Sequence, residues 1–291
     1  MSKGMLAKLT SDIKLWVMKK ILVAFDGTNF SEGAFEFARQ MNQQSPVMVT
    51  GIFLPQVDYS NLWSYAEGVA HTTFTPLVEE QTMNIIQKNI SRFESLCQKN
   101  GIEYQVHKDF LDLAMSAVKK ETRFADLLII GSESFYESLG TNEPNESLKD
   151  ALHRSECPIL IVPEKFDCPE TNILAYNGSR GCVFAIKQFA YLFPEFSGNE
   201  TLLVYAKEED EADFPDESYI EEFAGRHFAN LTLMKWQLDP KKYFHTWIED
   251  CKAAIVVTGA FGRSGLSQSL KKSFITDVIR DHKMPVFIAH L

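Results

Sequence analysis

Positive charge is in short supply in this sequence relative to negative. Its 291 residues carry 29 Lys and Arg against 39 Asp and Glu, a formal charge of −10, so it lacks the basic footprint with which nucleic-acid binders meet phosphates. No apolar run approaches the roughly 18 residues that a membrane helix needs. The N-terminus shows no apolar core followed by a small-residue cleavage site. These absences set the expectation of a cytoplasmic protein with neither a nucleic-acid nor a membrane partner. Cysteine is sparse and odd in number, at positions 97, 157, 168, 182 and 251, with no C-x-x-C. That suits reduced, packed thiols better than a disulfide framework. The seven histidines form no H-x3-H pair, and only His153 and Cys157 stand at i, i+4, so no metal site is expected. A G-x-S-x-G nucleophile turn is missing, as is G-x-G-x-x-G after a strand, and no catalytic residue is assigned.

What the sequence does have is an opening that occurs twice. Ile21-Leu22-Val23-Ala24-Phe25 runs into Asp26-Gly27-Thr28, after which Ala34, Phe35, Phe37, Ala38 and Met41 recur at helical spacing. Far downstream, Ile173-Leu174-Ala175-Tyr176 runs into Asn177-Gly178-Ser179, followed by Val183, Ile186, Phe189, Ala190 and Leu192. Each reads as a buried strand, a turn and an amphipathic helix.

The later segments match in order as well. Strands are expected at 47–53, 104–106, 127–131 and 158–162 in the first copy, and at 202–205, 231–234, 255–259 and 285–289 in the second. Helices are expected at 75–99 and 112–123, and near 216–229 and 240–250. Near-continuous apolar strands alternating with helices mean parallel sheets covered on both faces. Two α/β domains are therefore expected, at 18–163 and 170–291, joined by the short linker Pro163-Glu164-Lys165-Phe166-Asp167-Cys168-Pro169. The first copy is longer around its second helix, where Tyr59, Trp63, Tyr65 and Phe74 mark an aromatic loop. The extension 1–17 places Leu6, Leu9, Ile13 and Trp16 near helical spacing; a docking helix and an upstream start with Met18 as the working start are both open readings. The acidic stretch from Lys207-Glu208-Glu209-Asp210-Glu211 to Glu221-Glu222 reads as a solvated face.

A strand ending Val-Ala-Phe-Asp-Gly-Thr, five strands per unit, a fourth strand running into "IIGS" or "VVTGAFGRSG", and a last strand introduced by Cys-Pro or Met-Pro make residues 18–291 resemble the universal stress protein family in its tandem form. The resemblance implies α/β architecture with two doubly wound five-stranded parallel sheets. In the family the last strand pairs across a twofold axis. A tandem chain would therefore form an intramolecular pseudo-dimer through strands 158–162 and 285–289, leaving a homo-oligomer and an unidentified protein partner open. It also implies a place for ATP or another adenine nucleotide, with an Asp after strand 1 and a loop G-x2-G-x9-G-[S/T] after strand 4.

Neither copy matches that site in full. The first keeps Asp26, but Ser134 replaces the loop's second glycine, Pro144-Asn145 replace the final pair, and Glu133, Glu137, Glu143 and Glu146 crowd the loop. Like charges there oppose a triphosphate, so this copy is expected not to bind ATP, its carboxylates being solvated. The second copy has Asn177 for the Asp and supplies G-x2-G as Gly259 and Gly262. Arg263 and Ser264 follow, and Lys272-Ser273 stand where Gly-Ser belongs. Glycines allow close approach of backbone amides to phosphate, and a lysine could clamp phosphate or fill its place; both remain open. The expected function is a non-enzymatic stress-response or regulatory protein with nucleotide or anion binding in the second copy. The alternatives are a weak ATPase or adenylating enzyme, against which the missing S-G-G-x-D-S turn counts, and a scaffold with no ligand.

Overall fold

The computed structural model describes residues 18–25, 29–53, 80–107, 114–133, 155–206, 213–236, 253–259 and 284–290, with residues 247, 251, 278, 279 and 281. In the first half of the chain the order is β1 (Lys19–Phe25), α1 (Glu32–Gln44), β2 (Val47–Phe53), α2 (Glu80–Asn100), β3 (Glu103–His107), α3 (Ala114–Arg123), β4 (Leu127–Gly131) and β5 (Ile159–Val162). The second half repeats it with β6 (Thr171–Tyr176), α4 (Arg180–Leu192), a 3-10 helix (Pro194–Gly198), β7 (Glu200–Ala206), α5 (Glu217–His227), β8 (Asn230–Trp236), β9 (Ala254–Gly259) and β10 (Val286–Ala289).

All ten strands predicted from the sequence are present, within two residues at each end. Helix 75–99 is described from Glu80 and helix 112–123 from Ala114. The extension 1–17, the aromatic loop and all of helix 240–250 except Trp247 lie outside the described residues.

The strands form one sheet in the order β3-β2-β1-β4-β5-β10-β9-β6-β7-β8. Within each set of five every pairing is parallel. At the middle β5 and β10 run antiparallel, with Leu160 opposite Phe287. The last strands thus meet, as the resemblance implied, and each seals an edge that the other set of five would leave exposed.

Strand side chains alternate between two cores, as a sheet buried on both faces requires. Ile21, Val23 and Phe25 face one core with Ile129, Leu174, Val257 and Phe287. Leu22 and Ala24 face the other with Ile130, Ile173, Val256 and Ile288. Helices α1, α2, α4 and α5 cover the first face, while Val118 of α3 with Val278 and Ile279 lies on the second. This is the doubly wound arrangement. Helices α1 and α4 form for the same local reason. Ser31 and Ser179 are their N-caps, accepting from the amides of Ala34 (3.2 Å) and Cys182 (3.4 Å), and Ala34, Phe37, Ala38 and Met41 or Cys182, Ala185, Ile186 and Phe189 make the apolar stripe.

Across the middle of the sheet an aromatic cluster joins the halves. Phe193, which caps α4, meets Phe37 of α1 at 6.1 Å, Phe287 of β10 at 5.8 Å and Phe196 at 5.5 Å. Phe166 of the linker packs on Phe37 at 5.5 Å. Lys19 of β1 donates to the carbonyl of Leu192 at the C-terminus of α4, where a cation complements the helix dipole.

No disulfide joins any of the five cysteines, and of them only Cys168 is exposed. Burial pushes the thiols of Cys97 and Cys157 up to about 12. Since the thiolate is the nucleophile, iodoacetamide at neutral pH is expected to label Cys168 of the folded protein first. Cys97 and Cys157 should be labelled only after unfolding, an order that peptide mass spectrometry reads directly.

Candidate functional site

In each half the strand order reverses beside the first strand, between β1 and β4 and between β6 and β9. Ligands of open α/β sheets bind at such reversals, outside the carboxyl ends of the strands. Phe25 and Gly131 end the strands at one crevice, Tyr176 and Gly259 at the other. The helix that follows the first strand begins at the same place. A Cβ on Gly131 would lie 2.7 Å from the Cβ of Ser31, and one on Gly259 would lie 2.5 Å from the backbone carbon of Gly181 and 2.6 Å from the amide nitrogen of Cys182. These two glycines therefore let β4 and β9 end against the first turns of α1 and α4, and Gly259 has a packing role whether or not it faces a ligand.

The two helix starts have opposite chemistry. An α-helix begins with amides that have no partner within the helix, at the positive end of its dipole. At α1 they are taken. One carboxylate oxygen of Glu164 accepts from the amides of Glu32 (2.7 Å) and Gly33 (3.1 Å), and Ser31 takes Ala34. Glu133 in turn accepts the amide of Glu164 at 3.0 Å through both oxygens, and the Ser132 hydroxyl donates to Glu133 at 2.9 Å. Glu133, expected from the sequence to be solvated, is thus half-buried and bonded to the linker backbone. Beside it Glu32 pairs with Arg92, whose guanidinium lies 4.6 Å from the centre of the Phe30 ring, and Phe30 stacks on Phe25 at 4.6 Å.

At α4 the first helical residue is Arg180, exposed, and the first turn has no acidic residue. Among the described residues no carboxylate accepts from its first amides. Asn177, the first candidate binding residue, is exposed and belongs to the turn: its side-chain oxygen accepts from the amide of Ser179 at 2.9 Å and lies 3.0 Å from the Cys182 sulfur. Gly178 has φ +77°, and a Cβ there would meet the Pro215 ring at 2.7 Å, so this turn needs glycine. The rim is aromatic. Phe214 stacks on Tyr176 at 5.4 Å and lies 5.4 Å from Tyr205, and the Tyr176 hydroxyl donates to the carbonyl of Pro215 at 2.9 Å. Burial, then Asp216, then Cys182, raise the Tyr176 phenol above its ordinary range.

Of the predicted binding residues, Asn177 and Gly259 thus come to one crevice. Gly262, Arg263, Ser264, Lys272 and Ser273 lie outside the described residues, as do Asp26, Glu137, Glu143 and Glu146. Among the described residues no three His, Cys, Asp or Glu side chains could hold a metal ion, and no helix is long and apolar enough to cross a membrane. Sequence reasoning missed Glu164 and Arg180. The first was legible only through topology, because a residue following β5 in a parallel sheet emerges at the same end as one following β1.

No family model and no curated protein matches the sequence. Solved structures do. A universal stress protein from Archaeoglobus fulgidus superimposes with a TM-score of 0.65 at 17% identity, over 93% of this chain and 98% of that one. A protein from Pseudomonas aeruginosa assigned to the universal stress proteins does so with a TM-score of 0.53 at 12% identity, over 95% and 94%. At these identities the likeness is one of fold, and it extends across both halves: the chain has the universal stress protein fold.

Proposed function

We propose that this chain is a non-enzymatic stress-response or regulatory protein whose second half binds an adenine nucleotide, ATP in the first instance, while its first half binds none. The observation that carries the reading is the contrast between the two helix starts. Helix α1 already holds the carboxylate of Glu164. Helix α4 opens with Arg180 and no acid, beside a β9 that runs into a sequence rich in cations and hydroxyls, Arg263, Ser264, Ser267, Ser269, Lys271 and Lys272. Amides at a helix start together with cations are what a phosphate needs. The chain acts by binding, without turnover, and its surface engages a protein partner.

Calorimetry with ATP tests this. One site per chain is expected, and Arg180→Glu should weaken it by the roughly 1.5–3 kcal/mol of a charge-assisted contact, about ten- to a hundredfold in Kd. Two sites per chain would overturn the assignment of halves. No heat with wild type would leave the second half a structural partner of the first, and phosphate release at a steady rate would make the protein an enzyme.

A further inference from the structure

The linker between the halves does more than connect them: we propose that Glu164 is a built-in anion, a ligand substitute carried by the chain itself, which keeps the first half closed to anionic ligands. Its carboxylate meets α1 as a bound anion would, one oxygen shared by the amides of Glu32 and Gly33 at 2.7 and 3.1 Å. The same carboxylate reaches Gly131 at the end of β4, where its other oxygen lies 3.4 Å from the position of an added Cβ. It therefore stands at the strand reversal where a ligand of this fold would be held.

Three features hold it there. Glu133, from the far side of the crevice, fixes the Glu164 backbone through its amide. Pro163 passes so close to α1 that a Cβ on Gly33 would run into its carbonyl, with the carbon at 2.8 Å. Immediately beyond, Phe166 is packed on Phe37, so the segment bearing Glu164 is fastened at both ends. A tethered carboxylate competes at high effective concentration with any free anion, and Glu133 beside it adds repulsion to an incoming one. At the corresponding position of the second half the sequence has no acid: two residues beyond the last residue of β5 stands Glu164, and two beyond the last of β10 stands Leu291. The closure of the first half is thus a property of the linker. It goes beyond the proposed nucleotide binding and stands whether or not the second half binds one.

The test uses inorganic sulfate as the probe and the full chain labelled with nitrogen-15 at glycine, in an Arg180→Glu background that removes the cation at α4. At constant ionic strength the amide of Gly33 should not respond to sulfate. After the further change Glu164→Ala it should shift saturably as sulfate takes the place of the carboxylate. Glu164→Gln keeps the length and one acceptor; it secures the fold if alanine does not, and its neutral amide should yield to sulfate where the carboxylate does not. A Gly33 amide that titrates with Glu164 in place would overturn the proposal. So would one that remains still in a folded Glu164→Ala or Glu164→Gln protein, which would make Glu164 a helix cap only. Because nucleotide is absent throughout, neither result depends on the second half binding ATP.

Discussion

Phe193→Ala is expected to remove about 3–5 kcal/mol of stability, the cost of deleting a buried aromatic ring and leaving its cavity. Phe193 is fully buried and touches Phe37 on one half and Phe189, Phe196 and Phe287 on the other. The ring therefore couples the halves as well as filling space. Against a total stability of about 5–15 kcal/mol for a typical protein, such a loss is decisive. Urea unfolding followed by fluorescence and by circular dichroism should show a lower midpoint. If the cluster is what joins the halves, the variant's two probes should also separate, because one half then unfolds before the other. A midpoint within experimental error of wild type would contradict this account of the seam.

The second large effect carries a reversal of sign. Replacing a glycine inside a helix by alanine ordinarily stabilises by about 1 kcal/mol, and Gly225 of α5, around whose added Cβ nothing lies within 4 Å, should behave so. Gly33→Ala should instead destabilise. Its Cβ would be driven into the carbonyl of Pro163, a backbone group that cannot rotate away, and overpacking of this kind costs typically about 1–3 kcal/mol. Moving Pro163 would also draw Glu164 off the amides of Glu32 and Gly33, so the same variant should lose part of the α1 cap. Parallel thermal melts of Gly33→Ala and Gly225→Ala should move in opposite directions. Two shifts of the same sign would contradict the close approach of linker and helix.

The fold was legible because each copy repeats its pattern cleanly. The run Ile21-Leu22-Val23-Ala24-Phe25, too short for a helix and ended by Asp26-Gly27-Thr28, reads as a strand buried on both faces, and Ser31 and Ser179 each stand where a cap precedes an apolar stripe. The seam was legible only through family resemblance, since nothing in Ile159-Leu160-Ile161-Val162 says which strand lies beside it. The site was legible in part. Its glycines and the basic composition of the second loop can be read along the chain, but Glu164 acts across 131 and 132 residues of sequence and reads locally as one charge in a linker. Glu133 shows the converse. Its place in an acidic loop predicted a solvated group, whereas the turn of the chain after β5 brings a backbone amide to it. Gly259 was read as leaving room for phosphate, yet the first turn of α4 already requires that no side chain stand there.

At the centre of the account lie two halves with one fold and opposite chemistry at the helix start, and one spectrum tests it. The wild-type chain labelled with nitrogen-15 at glycine reports Gly33 at the start of α1 and Gly181 at the start of α4 simultaneously. On titration with ATP the Gly181 amide is expected to shift and saturate at one equivalent while the Gly33 amide stays in place. Movement of Gly33, alone or together with Gly181, or a spectrum in which neither moves, would contradict it.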